Sequence, residues 1–166
     1  AVIIDITFRI LYNWSENEVI WMQFSSRMTI AVHILLAIAE FADKEKTTST
    51  FLAQSVNVHP VIIRNTLGKL KAACIVHVRA GEGGATLAND PQKITLLDIF
   101  EAVEKEEDLF HFHEHPNPQC PVGKNMHAIL DQRLISIQNA MRKEMRAITL
   151  QDLINDMKRC IQTTDN

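Results

Sequence analysis

Four side chains that can bind a metal ion lie within ten residues of one another. His111, His113, His115 and Cys120 form a borderline-soft ligand set of the kind that suits zinc, copper or nickel. Their spacing matches no closed structural metal site, and a polar loop explains the histidines more simply. We therefore predict no bound metal and keep a metal-responsive loop as an alternative.

Cys120 could also do chemistry by itself. We expect a long helix to begin soon after it, and a thiolate at the positive end of a helix, with histidines beside it, has a lowered pKa and reacts readily with oxidants or electrophiles. The sequence therefore makes Cys120 a candidate redox sensor, with an inert thiol as the alternative. A Cys–His catalytic pair would need a hydrogen bond that neighbours in a loop do not imply, so we predict no enzyme.

A different group of side chains could bind a nucleic acid. Between Pro60 and Ala80 every charged residue is basic, whereas acids dominate the stretch from Asp98 to Glu114. The net charge of −3 therefore hides a basic end and an acidic end, and the basic end suits a polyanion. Arg64 is the most specific of the basic groups, because a guanidinium can make a bidentate contact with guanine.

Three predicted helices would position Arg64. The apolar spacing of residues 27–41 predicts a widely buried first helix. A short second helix follows a group of candidate N-caps, which are Thr48, Ser49 and Thr50. Pro60 suits the first position of a third helix that runs to about Ala73, with Arg64 on its outer face.

A glycine-rich stretch after the third helix reads as a β-hairpin. Val76 and Val78 alternate with His77 and Arg79, so one strand face can pack inward while the other meets a partner. Three of the five glycines form the tip, and they are Gly81, Gly83 and Gly84. The tip opens no helix and lacks the lysine of a phosphate-binding loop, so a turn explains it better than nucleotide binding. Helices followed by such a hairpin indicate a winged helix-turn-helix.

The C-terminal part predicts a long helix with one apolar stripe. This helix would cover residues 124–145, and a final helix capped by Thr149 would follow it. The stripe is longer than a small domain needs for its own core, so we expect a second copy of the chain to cover it. The predicted dimer interface consists of Met126, Leu130, Leu134, Ile137, Met141 and Met145.

A continuous pattern in the middle of the chain is similar to a family signature. It reads Val78-Arg79-Ala80-Gly81-x-Gly83-Gly84-x-x-Leu87-Ala88-x-x-Pro91-x-x-Ile94-Thr95-Leu96-x-Asp98-Ile99-x-x-Ala102-Val103-Glu104. This run resembles the signature of the Rrf2 family of bacterial transcription regulators, and the resemblance covers most of residues 22–160. It implies a homodimeric winged-helix protein that binds double-stranded DNA and dimerises through its long penultimate helix.

Helix geometry and this resemblance together select the candidate DNA contacts. They are Ser49, Thr50, His59, Arg64, Asn65, Lys69, Arg79, Gly81, Gly83 and Gly84. Arg79 is similar to the arginine that family members insert into a minor groove. Members that hold an iron-sulfur cluster use three cysteines in the loop before the long helix, whereas this chain has only Cys120 there. Cys74 stands where the family usually has glycine. We therefore predict no cluster and no other cofactor.

The chain has the size and composition of one globular unit. Its 166 residues, 46% of them hydrophobic, can bury one sizeable core. We predict a mainly α protein with an N-terminal appendage at 1–21, a winged helix-turn-helix domain at 22–91, a connecting helix and sensor-type loop at 92–123, and dimerisation helices at 124–166.

The predicted function is regulation of transcription. We expect a homodimeric repressor on a palindromic operator, with a small-molecule or redox inducer that the sequence does not name. Three widely spaced cysteines and the lack of a membrane-spanning segment favour the cytoplasm. A DNA-free module that binds another protein is the remaining alternative.

Overall fold

The computed structural model describes residues 26–79, 84–104 and 115–164. Within these ranges the chain forms six α-helices, one 3-10 helix and a two-stranded hairpin, which confirms the mainly α prediction. The elements in chain order are α1 (Ser26–Phe41), α2 (Ser49–Val56), α3 (Pro60–Ala72), β1 (Val76–Val78), β2 (Ala85–Leu87), the 3-10 helix (Pro91–Lys93), α4 (Leu96–Val103), α5 (Pro121–Ala147) and α6 (Leu150–Thr164). The predicted appendage at 1–21 lies outside the described residues.

Helix α1 forms the centre of the core. Ala31, Ile34, Leu35 and Ile38 are fully buried, and the helix contacts α2, α3, α4, α6 and β2. A helix that is apolar on most sides is stable here because neighbours cover it on most sides. Those neighbours contribute further core residues, among them Ile63, Leu70, Val76, Ala85, Ile99, Val103 and Leu150.

Local signals set the bounds of the helix-turn-helix. The Thr48 hydroxyl accepts a hydrogen bond from the Phe51 amide at 3.2 Å, which makes Thr48 the N-cap of α2. Asn57 ends α2 with a φ of 57°, a left-handed conformation that a short polar side chain tolerates. Pro60 begins α3, as its position in the sequence predicts.

The hairpin that forms the wing is short and packs on one face only. Strands β1 and β2 are antiparallel, with Val76 opposite Leu87 and Val78 opposite Ala85. Val76 and Ala85 are buried, whereas His77 is exposed. The predicted alternation is confirmed, and the wing therefore keeps an outer face for a partner.

Cys74 connects α3 to the wing in a conformation that favours glycine. Its φ is 58°, and the amide of the next residue, Ile75, donates a 2.9 Å hydrogen bond to the carbonyl oxygen of Leu70. A left-handed residue just after a helix closes its last carbonyl groups in this way. The geometry gives a physical reason for the glycine that the family resemblance implies at this position.

Two similar caps meet where the C-terminal helices join the rest of the molecule. The Thr95 hydroxyl accepts from the Asp98 amide at the start of α4, and the Thr149 hydroxyl accepts from the Asp152 amide at the start of α6, each at 3.2 Å. Thr95 and Thr149 also form an isolated antiparallel bridge, flanked by backbone hydrogen bonds of 2.8 and 2.9 Å. The junction is therefore fixed by backbone pairing as well as by packing.

Helix α5 is a 27-residue rod that exposes much of its apolar surface. It begins at Pro121, three residues earlier than the sequence predicts. Met145 is buried against Leu97 and Phe100 of α4, with Met141 partly buried beside them. The same chain therefore covers Met145, whereas the predicted dimer interface as a whole stays a prediction. None of the helices that the structure describes is long and apolar enough to cross a bilayer.

Candidate DNA interface and loop cysteine

An open groove of about 500 Å³ lies between α2, α3 and the wing. We call it the wing groove, and its lining residues are Thr47, Thr48, Ser49, Arg64, Leu67, Gly68, Lys71, Val78, Arg79 and Gly84. It brings together predicted DNA contacts that are far apart in sequence, namely Ser49, Arg64, Arg79 and Gly84. The fold thus gathers a helix start, a helix face and a wing around one concave surface.

The packing of α3 sets the direction of Arg64. Ile63, Leu67 and Leu70 are 0%, 5% and 0% exposed, so their neighbours on the helix face outward. Arg64 is exposed, and Lys71 lies on the same side about two turns later. The α3 wall of the groove therefore carries two cations, one of which can read base edges while both can meet phosphates.

The beginning of α2 forms another wall of the groove. Thr48 uses its hydroxyl to cap the helix, and Ser49 and Thr50 follow as the first two helical residues. Their amides are among those that a helix leaves without an intrahelical partner. Such amides, at the positive end of the helix dipole, suit phosphate oxygens. Thr50 is exposed and Ser49 is half-buried, which leaves this end open.

His59 and Asn65 do not belong to the groove as its lining residues define it. The Nδ1 atom of His59 accepts a hydrogen bond from the Val61 amide at 3.3 Å, so the ring caps α3. In this geometry Nε2 is the ring nitrogen left to donate. Asn65 is exposed on α3 next to Arg64. Both residues lie near the start of α3, beside the groove.

Lys69 points to a different part of the molecule from the one predicted. Its Nζ atom donates a 2.8 Å hydrogen bond to the carbonyl oxygen of Val103, the last residue of α4. The predicted contact of Lys69 with DNA stays a prediction, and this bond does not favour it, because Lys69 is not among the residues that line the wing groove. Lys71, which the sequence also predicts on the outer face, lines the groove in its place.

The wing closes the groove through Arg79 and Gly84. The Arg79 amide donates a 3.3 Å hydrogen bond to the Gly84 carbonyl oxygen, next to the last strand pair. Gly84 has a φ of 126°, where an L side chain would be strained. The Arg79 side chain is exposed. Gly81 and Gly83, the other predicted tip residues, lie outside the described residues.

Six lining residues of the groove were missing from the predicted contacts, and Lys71 and Thr47 show two different reasons for the omission. Lys71 follows Arg64 by seven residues, a spacing that repeats one face of a helix, so the signal was present in the sequence. Thr47 is buried and bonds to Ala85, 38 positions away, and no local pattern indicates such a contact. Helix periodicity can find the first kind of residue but not the second.

Cys120 occupies the N-cap position of α5 and is exposed. The amide groups of Gly123 and, to a lesser extent, Val122 stabilise the thiolate and hold the pKa of the Cys120 thiol below its usual value. The Cys120 side chain makes no capping hydrogen bond in the structure, and a neutral thiol is a weaker acceptor than a thiolate. Deprotonation therefore strengthens the interaction between Cys120 and the helix.

The end of the loop packs tightly against the first turn of α5. The Oδ1 atom of the Asn117 side chain accepts a hydrogen bond from the Gln119 amide at 2.9 Å. The backbone carbonyl oxygen of Asn117 accepts one from the Cys120 amide at 3.2 Å. A Cβ atom at Gly123 would lie 2.4 Å from that carbonyl oxygen. Position 123 thus requires glycine for the turn to approach the helix.

Comparison with known proteins identifies the family. The family profile described as "Rrf2: Iron-dependent Transcriptional regulator" matches residues 24–156, which is most of the chain. The chain belongs to the Rrf2 family. It is therefore a DNA-binding transcriptional regulator and not an enzyme, and the alternative of a DNA-free interaction module is not supported.

Individual relatives agree with this Rrf2 assignment. The chain is 44% identical over 133 residues to the "Putative HTH-type transcriptional regulator YwnA" of Bacillus subtilis (strain 168), covering 80% of this chain and 98% of that protein. It is 40% identical to a crystallised "putative DNA binding protein", with a TM-score of 0.64 over 78% of this chain and 99% of the other. CymR, the global cysteine regulator of B. subtilis, shares the fold at 22% identity and a TM-score of 0.59, over 81% and 97% of the two chains.

The iron in the description of the Rrf2 family raises the question of whether this chain could bind it. Cys74, Cys120 and Cys160 are exposed and lie after α3, before α5 and within α6. Over 26–79, 84–104 and 115–164, no three His, Cys, Asp or Glu side chains come together as a metal site. Cysteines on three separate elements do not fit an iron-sulfur cluster held by one chain. His115 is exposed, and His111 and His113 lie outside the described residues.

Proposed function

We propose that this Rrf2 protein is a homodimeric repressor that binds a palindromic DNA operator through the wing groove. The observation that carries the proposal is the meeting of Arg64, the start of α2 and Arg79 around one groove. Arg64 would read base edges in the major groove, while Ser49, Thr50 and Lys71 would hold phosphates.

The wing would follow the DNA backbone into the neighbouring minor groove. Arg79 follows β1 at the end of the hairpin nearer its tip and is exposed, and a narrow minor groove attracts a guanidinium. Its contact would add affinity and a preference for groove shape, whereas Arg64 would supply most of the base specificity. Operator occupancy would then lower transcription from an adjacent promoter.

The surface of α5 supports the dimeric part of the proposal. Within α5, Val122, Ile129 and Ile137 are 66%, 59% and 55% exposed, although all three are apolar. Leu130 and Leu134 are only partly covered by the chain itself. A second copy of this helix would bury that surface, and a two-fold dimer would require half-sites about one helical turn apart, or a multiple of it.

Selection from random duplexes followed by footprinting tests the proposal. We expect a near-palindromic site, and we expect Arg64→Ala to weaken binding to it by roughly 10- to 100-fold. Lys158→Ala removes an exposed cation from α6, away from the groove, and serves as the control that should bind like the wild type. A selection that returns no enriched sequence, or equal losses for the two variants, would contradict the proposal.

A thiol switch at Cys120 is the second function that a specific observation favours. The thiol is exposed, and the amides at the start of α5 stabilise its thiolate, the form that oxidants attack. The proposal needs neither a metal nor an iron-sulfur cluster. Operator affinity of the wild type should change on treatment with peroxide, and that of Cys120→Ser should not. Equal responses of the two proteins would exclude the switch.

The proposed partner also suggests the compartment. A regulator that binds operators works where the chromosome is, so we assign the protein to the cytoplasm. Cys74, Cys120 and Cys160 form no disulfide bond in the structure, which is compatible with a reducing compartment.

A further inference from the structure

A buried hydroxyl group joins the wing to the helix-turn-helix. Thr47 is 2% exposed, and its Oγ1 atom donates a 2.6 Å hydrogen bond to the carbonyl oxygen of Ala85. The Oγ1 atom of Thr47 also accepts a 3.0 Å hydrogen bond from the Ala85 amide. That amide lies 3.2 Å from the backbone carbonyl oxygen of Thr47 as well. One side chain therefore satisfies both backbone groups of the first residue of β2.

The hydrogen bonds of the Thr47 hydroxyl group anchor the hairpin to the rest of the domain. A hairpin of two three-residue strands has little stability of its own and needs anchoring to the domain. Valine would fill the same volume as Thr47 but would leave the Ala85 carbonyl without this donor, which is costly in a buried position. The interaction thus fixes a direction as well as filling space.

The joint lies between two parts of the wing groove. Thr48, the next residue, caps α2, whose first residue Ser49 lines the groove. On the other side, Ala85 follows Gly84, whose carbonyl oxygen accepts from the Arg79 amide. A short path of covalent and hydrogen bonds thereby connects the start of α2 to the wing arginine.

We propose that Thr47 is a positioning residue that sets the angle of the wing, so that Arg79 reaches DNA while α2 and α3 are in place. The proposal rests on the proposed function of the wing groove and extends it to a residue whose side chain is buried. Without the hydroxyl group the wing would sample more orientations, and binding would carry the cost of ordering it.

Two substitutions at this position separate the hydroxyl group from the volume it occupies. We expect Thr47→Val to weaken duplex binding about fivefold, as expected for one net hydrogen bond. Thr47→Ser keeps the hydroxyl group and should bind within about twofold of the wild type. Thermal unfolding of both variants checks that the domain remains folded. Equal affinities for Thr47→Val and the wild type would overturn the proposal.

A double-mutant cycle tests whether Thr47 acts through Arg79. In an Arg79→Ala background, Thr47→Val should cause little further loss, whereas in an Arg64→Ala background it should cause its full loss. Full additivity with Arg79→Ala would overturn the proposal, because Thr47 would then not act through the wing arginine.

Amide hydrogen exchange at Ala85 provides a measurement that does not depend on DNA. Exchange should be faster in Thr47→Val than in Thr47→Ser, which would support the joint even if the wild type bound no duplex and the proposed function failed. Unchanged exchange in Thr47→Val would overturn the joint itself, whatever the duplex affinity.

Discussion

The Nζ atom of Lys69 lies 2.8 Å from the carbonyl oxygen of Val103 and donates a hydrogen bond to it. This bond joins α3 to the last residue of α4. The next residue, Glu104, has a nearly buried side chain whose carboxylate pairs with Arg27 at 3.4 Å, near the start of α1. The end of α4 is thus held from two sides, by α3 and by the central helix of the core, α1.

The different surroundings of Lys69 and Lys71 predict different effects on DNA binding. Lys71→Met should make the negative slope of log affinity against log salt shallower by about one, because it removes one phosphate contact. Lys69→Met should leave this slope unchanged, because its ammonium group is engaged by Val103. Salt titrations of duplex binding compare the two variants. If the slope became shallower for Lys69→Met and stayed unchanged for Lys71→Met, the phosphate contact would belong to Lys69 and not to Lys71.

The geometry of Arg64 predicts a loss of specificity on exchange for lysine. Arg64→Lys keeps the positive charge but cannot make the planar bidentate contact with guanine. We expect binding to the selected operator to weaken by about 1–3 kcal/mol, with little change in binding to an unrelated duplex. Parallel titrations with the two duplexes measure the difference. A uniform loss on both would indicate that Arg64 contacts only phosphates.

The left-handed conformation of Cys74 predicts that glycine would stabilise the protein. Cys74→Gly removes the strain of a side chain at a φ of 58° and should raise the free energy of unfolding by about 0.5–1 kcal/mol. Thermal unfolding should show a midpoint about 1–4 °C higher. Cys74→Ala is the matched control, because it removes the thiol but keeps the strain. An equal gain for the alanine variant would show that the thiol, and not the backbone, is responsible.

The amides around Cys120 predict faster alkylation than for an ordinary cysteine. Because the pKa of the Cys120 thiol is lowered, more thiolate is present at a given pH, so the rate should reach half its maximum at a lower pH than for an ordinary cysteine. Iodoacetamide kinetics in a Cys74→Ser, Cys160→Ser protein isolate this residue. A midpoint at or above the ordinary value would contradict the role of the amides.

Gly123 gives a second test of the same geometry. Gly123→Ala should raise the midpoint of Cys120 alkylation, because the added Cβ atom displaces the Asn117 turn and disturbs the amides that stabilise the thiolate. Gly68→Ala is the control, since a Cβ atom at that helical glycine meets nothing within 4 Å. Identical profiles for the two variants would indicate that the turn does not hold Cys120.

The exposed apolar face of α5 predicts that a charge placed on it would prevent dimer formation. Ile137→Asp places a charge on the surface that a second copy would bury, and it should convert a dimer into monomers. Asn139→Asp adds the same charge about 200° around the helix and should leave the dimer intact. Light scattering after size exclusion gives the mass of each variant. A monomeric wild type would exclude the proposed dimer.

Local signals in the sequence predicted much of the fold. Thr48, Pro60 and Thr149 begin helices where capping rules predict them, and the valine alternation in β1 gives the inner face of the wing. These features depend on neighbours within about four positions along the chain.

The parts that the sequence did not predict depend on distant contacts. Lys69 reads as an exposed lysine on the DNA side until α4 supplies a carbonyl group 34 positions away. Met145 continues the apolar stripe of α5 in sequence, yet α4 of the same chain covers it. Thr47 has no local signature at all. Each case requires the tertiary arrangement, which periodicity and capping do not contain.

The bridge between Thr95 and Thr149 has a mechanical consequence for the proposed dimer. It fixes the C-terminal end of α5 to the domain that carries Arg64, and α5 is a lever about 40 Å long. A tilt of roughly 5° between two such levers would displace their ends by about 3.5 Å, close to the rise of one base pair. Small rotations where the two α5 helices cross would therefore displace the two DNA-binding domains relative to the operator half-sites. No rearrangement inside either domain would be needed.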